Sequence, residues 1–104
     1  MILSTCETVP GREITAALGL VRGNTIRASH VGRDIVAALK NIVGGEIAEY
    51  TKLMGESREQ AIDRMVQRAE ELGADAIVGV RFTTSMVMTQ AAEILCYGTA
   101  VRLR

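Results

Sequence analysis

Residues 61–80 have the sequence AIDRMVQRAEELGADAIVGV, and this stretch decides how the chain folds. Its first half repeats apolar residues three or four positions apart, which is typical of one face of a helix. Gly73 then supplies the left-handed conformation that ends many helices. A nearly continuous apolar run follows at 76–80 and is typical of a buried strand. The stretch therefore predicts a helix that passes into a strand through a short turn.

The same helical spacing extends upstream, so the pattern predicts one helix over about 46–72, roughly 40 Å long at 1.5 Å per residue. Gly55 interrupts this helix at a cost of about 1 kcal/mol relative to Ala, and indicates a kink or a close contact. The other faces are charged, with four basic and seven acidic residues. The predicted apolar stripe contains Ile47, Tyr50, Met54, Ala61, Met65, Ala69 and Leu72.

The chain after the helix predicts a β-hairpin that breaks near Thr89-Gln90. Apolar residues occupy both of the alternating sets of positions along this hairpin, and the two sets point to opposite faces of the sheet. Both faces therefore need cover. The long helix covers one face. We expect a neighbouring subunit to cover the other. The apolar residues concerned are Phe82, Met86, Met88, Ile94, Leu95, Tyr97, Val101 and Leu103.

The first part of the chain predicts more sheet and a second helix. Residues 2–9 are typical of a short strand, and Pro10-Gly11 of a turn. Residues 12–28 favour a strand, or two, bent at glycines, with a helical turn around 16–18 as the alternative. Residues 31–43 predict a helix that Ser29 caps and Gly44-Gly45 ends. The patterns predict one α+β domain over 1–104, in which one long and one shorter helix accompany the strands.

Composition excludes several classes of protein. The 104 residues carry 12 basic and 12 acidic side chains, which argues against a dedicated nucleic-acid binder and a polybasic membrane anchor. No apolar run approaches the ~20 residues of a membrane span, and the N-terminus lacks the pattern of a secretion signal. Ala, Val, Ile and Leu supply 40 apolar residues, whereas aromatic residues make up only 3%. Such a small core is marginal alone, so association of subunits is expected.

Three residues are candidate soft-metal ligands: Cys6, His30 and Cys96. A strong zinc signal needs paired ligands such as Cys-x-x-Cys, and the chain has no such pair. The three residues therefore meet only if the fold or a subunit interface brings them together. The alternative is two packed thiols and a surface histidine. Two cysteines are too few for a disulfide scaffold, so we expect reduced thiols and a cytoplasmic protein.

Catalytic patterns are weak. Ser29-His30 with Asp34 resembles part of a triad, but adjacent side chains rarely face each other, and a helix-start pair explains His30 and Asp34 better. A rival hypothesis is an enzyme in which Tyr50, Arg58 and Glu59 line a polar pocket between subunits. The preferred hypothesis has no catalytic residue.

The spacing of several small motifs resembles the YbjQ-like family, small bacterial and archaeal proteins described as putative heavy-metal-binding domains. The resemblance spans nearly the whole chain. The motifs are Gly11-Arg12-Glu13-Ile14, Leu18-Gly19, Val21, Gly23, Arg33-Asp34-Ile35, Gly44-Gly45, Tyr50, Arg58-Glu59, Ala61, Ala69, Leu72-Gly73-Ala74-Asp75-Ala76, Gly79 and Gly98-Thr99-Ala100-Val101.

This resemblance implies an α+β subunit with an antiparallel, curved β-sheet, on which one long and one shorter helix pack. It also implies that the subunits assemble into a closed ring, a homopentamer. It transfers no metal ligands, because Cys6 and Cys96 occupy positions where such sequences more often carry Thr, Ser or Ala. The sequence thus predicts a non-catalytic, homo-oligomeric binding or scaffold module whose site lies between subunits or in the ring lumen. Its cofactor is unknown. The alternatives are a metal or soft-ligand binder through Cys6, Cys96 or His30, and the enzyme above.

Overall fold

A computed structural model of the protein describes the backbone of residues 1–28, 42–43, 46–88 and 91–104. Side chains are described for 1–27, 51–88 and 91–104. The elements in chain order are β1 (Ile2–Leu3), β2 (Ile14–Ala28), β3 (Ile42–Val43), β4 (Glu46–Ile47), α1 (Ala48–Glu71), β5 (Ala76–Met88) and β6 (Ala91–Leu103).

Four strands form the main sheet in the order β1-β5-β6-β2. The predicted hairpin is confirmed, because β5 and β6 pair antiparallel along their length. The sheet is nevertheless mixed and not wholly antiparallel as predicted, since β1 pairs parallel with the start of β5. A parallel pair needs a long crossover, and here the intervening chain supplies it. The short strands β3 and β4 form a separate two-stranded sheet.

The long helix is confirmed, with slightly different ends. It begins at Ala48 because the two preceding residues belong to β4. Gly73 ends it with a φ of 75°, and its N–H donates to the Glu70 carbonyl at 3.0 Å. Leu72 lies beyond the helix and is exposed, so it does not belong to the buried stripe. In the described part of the chain, no helix is long and apolar enough to cross a membrane.

The helix touches the sheet backbone at Gly23. A Cβ at this position would meet the Ala61 carbonyl oxygen and the Met65 amide nitrogen. Beside this contact, the buried Thr25 Oγ1 donates to the Ser57 carbonyl at 3.1 Å. Gly23 is therefore a point of close approach. The predicted bend in β2 lies instead near Gly19, which has a φ of 124° and follows a shift in strand register.

Two apolar clusters form the core, one on each face of the sheet. The larger lies between α1 and the sheet and consists of Val21, Ala61, Met65, Ala69, Ile77, Val80, Ile94, Cys96 and Ala100. The smaller consists of Ala76, Val78 and Val101, against which Val9, Ile14 and Leu103 pack. The N-terminal segment thus covers part of the second face, where we had expected a neighbouring subunit.

The predicted strand over 2–9 is shorter than expected, because β1 ends at Leu3. The turn at Pro10-Gly11 is confirmed, since the Arg12 N–H donates to the Val9 carbonyl at 3.0 Å. Most of the helix predicted over 31–43 lies outside the described residues, as do its Ser29 cap and Gly44-Gly45. Its last two residues form β3, so the prediction is wrong there.

Cys96 lies fully buried beneath α1, with its Sγ 3.5 Å from the Met65 Sδ. Burial raises the pKa of this thiol above its ordinary value of 9.0, because a thiolate would lose its hydration. The folded protein therefore keeps Cys96 protonated at pH values where the unfolded chain begins to ionise it.

We predict that the stabilisation from Cys96 is fully present below pH 9.0 and is lost as the pH rises towards the higher pKa of the folded state. The slope is at most about 1.4 kcal/mol per pH unit. The measurement is the free energy of unfolding in urea at pH 7, 9 and 10, for Cys6→Ser and for Cys6→Ser/Cys96→Ala. The difference between the two variants should change with pH. A free-energy difference that stays constant over this range would contradict the prediction.

We also predict opposite effects of alanine at two glycines. Gly23→Ala should lower the free energy of unfolding by about 2–3 kcal/mol, because the new methyl group meets helix backbone that cannot move aside. Gly55→Ala is the control, because its new Cβ meets only the Arg58 Nη2, at 3.9 Å. This substitution should raise the free energy of unfolding by up to about 1 kcal/mol, since Ala favours the helix more than Gly does. Equal effects in urea unfolding would refute the close-contact interpretation.

Candidate functional site

The second half of β5 leaves the core and exposes large apolar side chains. We call Phe82, Met86, Val87 and Met88 the β5 apolar strip; Met86, the most exposed of the four, is 78% accessible. Helix α1 packs mainly on β2 and β6 and barely reaches β5, which explains why the strip is bare. Clustered apolar exposure of this kind marks an interaction surface more often than single exposed residues do.

At the β5 end of the sheet, the side that carries α1 is partly uncovered. In the strand register, Phe82 lies opposite Cys96 and Met86 opposite Ala92. Directly opposed residues of an antiparallel pair share a face, so Phe82 and Met86 lie on the same face as the buried Cys96. The expectation that the helix covers this whole face is therefore wrong. The helix covers two of the three long strands.

The outer edge of β5 is paired only at its beginning. There β1 and the following residues bond to it, ending with the Val80 N–H, which donates to the Ser4 carbonyl at 3.0 Å. Beyond Val80, no strand in the described ranges pairs with this edge. Residues 82–88 have the sequence FTTSMVM, which contains no charge, proline or glycine. The edge thus lacks the residues that usually prevent strand pairing.

The opposite edge of the sheet is β2, which also has no outer partner strand among the residues that the structure describes. Leu20 and Ile26 on this strand are 67% and 59% exposed. They lie opposite Thr99 and Glu93, on the face away from α1. Within the described residues, the sheet therefore has two open edges: Phe82 and Met86 beside one lie on the face that carries α1, and Leu20 and Ile26 beside the other lie on the opposite face.

The fold does not bring the candidate metal ligands together. Cys6 is exposed in the N-terminal segment, whereas Cys96 is buried under the helix. His30 lies outside the described residues, as do Ser29 and Asp34. Within those residues, no group of three or more His, Cys, Asp or Glu could hold a metal ion. The thioether of Met65, which sequence analysis assigned only to the core, is the sulfur next to Cys96.

The proposed enzyme residues lie on a charged, shallow surface. Arg58 and Glu59 are exposed and border a depression of about 610 Å³ beside Arg27. Two hydrogen bonds hold the Arg27 guanidinium, to Ser57 Oγ at 3.1 Å and Gln60 Oε1 at 2.9 Å. The side chain of Tyr50 lies outside the described set. This surface offers charges without an enclosed, apolar wall, which a small-molecule site usually has.

A second concavity, of about 460 Å³, lies on the sheet face away from α1. Its polar groups include Glu7, Arg81 and Thr99, above a floor that includes Val78 and Val101. Arg81 is already occupied, because its Nη1 donates to the Thr5 and Val80 carbonyls at 2.7 and 2.8 Å. Sequence reasoning missed this site, since no local pattern places the N-terminal segment beside β5.

Comparisons with known proteins agree with the resemblance found in the sequence. The YbjQ-like family model, described as "putative heavy-metal-binding", matches residues 1–104. A UPF0145 protein of Archaeoglobus fulgidus is 62% identical over 104 residues, which cover 100% of this chain and 96% of that protein. Another, from Methanosarcina acetivorans, is 58% identical over 103 residues, with 99% and 97% covered.

The fold also matches a solved structure. A crystal structure of a protein of unknown function from Pediococcus pentosaceus superposes with a TM-score of 0.72, covering 100% of this chain and 98% of that one. The two sequences are 17% identical, so this match concerns the fold alone. Because the family model and full-length relatives cover the whole domain, the chain belongs to the YbjQ-like family, the UPF0145 proteins.

Proposed function

We propose that this protein is a non-catalytic, homo-oligomeric binding or scaffold module of the cytoplasm. The exposed β5 apolar strip is the observation that supports the proposal. A homopentameric ring is the assembly that the family resemblance implies. The partner of the strip is then another copy of the chain, and neither a nucleic acid nor a membrane is required.

The size of the strip supports association. Four large apolar side chains, each about half exposed or more, follow one another along a single sheet edge, with Phe82 and Met86 on the face that carries α1, and clustered exposure of this kind usually has a binding role. Burying apolar surface stabilises an interface by a free energy of about 25 cal/mol per Å². Each copy in a ring contributes to two interfaces, so the gain is repeated around the ring.

The charge distribution supports a protein partner over a polyanion. The formal net charge is zero, and the long helix carries more acidic than basic residues. A surface that binds nucleic acid through phosphates needs a basic excess. The strip itself, within FTTSMVM, contains no basic residue.

We predict that Met86→Glu breaks the assembly while the subunit stays folded. Met86 is 78% exposed in one copy, so the charge costs little in the subunit but is costly once another copy covers it. Sedimentation velocity at micromolar concentration should shift from the oligomer towards the 11.2 kDa subunit, with an unchanged circular dichroism spectrum.

Thr8→Glu is the matched control, since it adds the same charge at an exposed position of the N-terminal segment, outside the strip, α1 and the two open sheet edges. It should leave the sedimentation coefficient unchanged. A parent protein that sediments as a single 11.2 kDa subunit at this concentration would refute the proposed assembly outright.

A soft-metal binder is the second candidate. The family description supports it, as does the buried pair of sulfur atoms in Cys96 and Met65, since thiolate and thioether ligands suit soft ions such as Cu(I). The exposed Cys6 and the imidazole of His30 are the further ligands available in the chain.

The metal hypothesis predicts uptake that depends on these residues. Titration with zinc, copper(I) and cadmium, followed by mass spectrometry under native conditions, should show at least tenfold weaker binding for Cys6→Ser/Cys96→Ser than for the parent. His30→Ala separates the third ligand. If the parent takes up no metal, or the substitutions leave uptake unchanged, these residues are not the ligands.

A further inference from the structure

We infer that copies of this chain join head to tail, with the outer edge of β5 (residues 82–88) in one copy pairing in parallel with the outer edge of β2 in the next. The inference rests on the proposed homo-oligomer. It adds which two surfaces meet and in what direction the strands run. The occupant of the β5 edge is thus a second copy of this chain, and specifically its β2 strand.

The two open edges are at opposite ends of one sheet, which favours this arrangement. With the order β1-β5-β6-β2, β2 is one edge, and β5 is the other beyond the short β1. Unpaired N–H and C=O groups on an edge strand favour pairing with another strand. Joining the open part of the β5 edge in one copy to the β2 edge of the next gives partners to residues 82–88 and to a matching length of the longer β2, and a closed ring repeats this junction in every copy.

A symmetric pairing of two β5 edges would leave more backbone groups and more apolar surface without a partner. It would cover the β5 apolar strip in both copies, but it would leave β2 open, with Leu20 at 67% and Ile26 at 59% exposure. The head-to-tail junction places these apolar groups beside the neighbouring β5 as well. More apolar area is therefore removed from water per copy.

The direction of the junction follows from the topology. Both β5 and β2 are antiparallel to β6, so they run in the same direction within one subunit. Strands of neighbouring subunits in a ring of three or more copies lie side by side only if the rotation nearly preserves strand direction. The strands at the junction are therefore parallel, and α1 lies on the same face of the sheet in every copy.

The position of α1 explains why Phe82 and Met86 are bare on the helix side. The helix packs over β2 at the sheet edge, where it touches Gly23 and where the Arg64 guanidinium donates to the Asn24 carbonyl at 2.6 Å. A β5 strand that pairs beside β2 lies next to this helix. The neighbour's α1 thus covers Phe82 and Met86, which the subunit's own helix does not reach.

Disulfide cross-linking tests the junction directly. On the face away from α1, Thr83 and Ser85 of β5 and Arg22 and Asn24 of β2 are exposed. Each β5 position would be changed to cysteine together with each β2 position, which gives four double variants in a Cys6→Ser background. Within one copy β6 separates β2 from β5, and the resulting spacing of about 10 Å exceeds the Cα separation of about 7 Å that a disulfide tolerates.

After oxidation, at least one double variant should give a ladder of bands at multiples of the subunit mass on a non-reducing gel. The four single variants should remain at the subunit mass. A β5 single variant and a β2 single variant would also be mixed in equal amounts, dissociated and reassembled. This mixture should give dimers but nothing larger, because each copy then carries an introduced cysteine at only one of its two edges. Circular dichroism checks that every variant keeps the parent fold.

Two results would overturn the inference and leave the proposed oligomer intact. One is a dimer from Ser85→Cys alone, which indicates symmetric β5 pairing. The other is a stable oligomer in which none of the four double variants forms more disulfide-linked product than the single variants do. A parent protein that is monomeric by sedimentation would overturn the inference and the proposed function together.

Discussion

The contact between the backbone of β2 at Gly23 and the backbone of α1 is the constraint on which the arrangement depends. Helix and strand can approach so closely only because this position has no side chain. The contact holds α1 over β2 and β6, where Ala61, Met65 and Ala69 become fully buried. Ala61 and Ala69 are small, and Gly23 on the strand has no side chain at all. A chain with few aromatic residues can therefore form a tightly packed helix–sheet interface.

The same placement leaves β5 without cover. A helix that packs at one edge of a three-strand surface cannot also shield the other edge, so among the described residues the β5 apolar strip and an open strand edge remain there. The N-terminal segment covers only the start of β5. The exposed apolar surface of β5 is thus a consequence of how the core is packed, and the composition alone does not reveal where it lies.

The description of the family as heavy-metal-binding has to be weighed against the positions of the sulfur atoms. Cys6 lies exposed in the N-terminal segment and Cys96 is sealed under α1 next to Met65. Burial raises the pKa of the Cys96 thiol, which disfavours the thiolate that a metal requires. A metal at Cys96 would have to reach a thiol that is fully buried, whereas the proposed assembly uses side chains that are already exposed.

The sequence by itself determined the helix–turn–strand block around Gly73, the β5–β6 hairpin and the turn at Pro10-Gly11, because periodicity and turn chemistry are local properties of the chain. It also indicated that apolar strand residues would lack cover. Only the tertiary structure decided that Gly23 is a contact and not a bend, that β1 pairs parallel with β5, and that Cys6 and Cys96 lie apart. These features depend on which distant segments meet, and a local pattern contains no information on that choice.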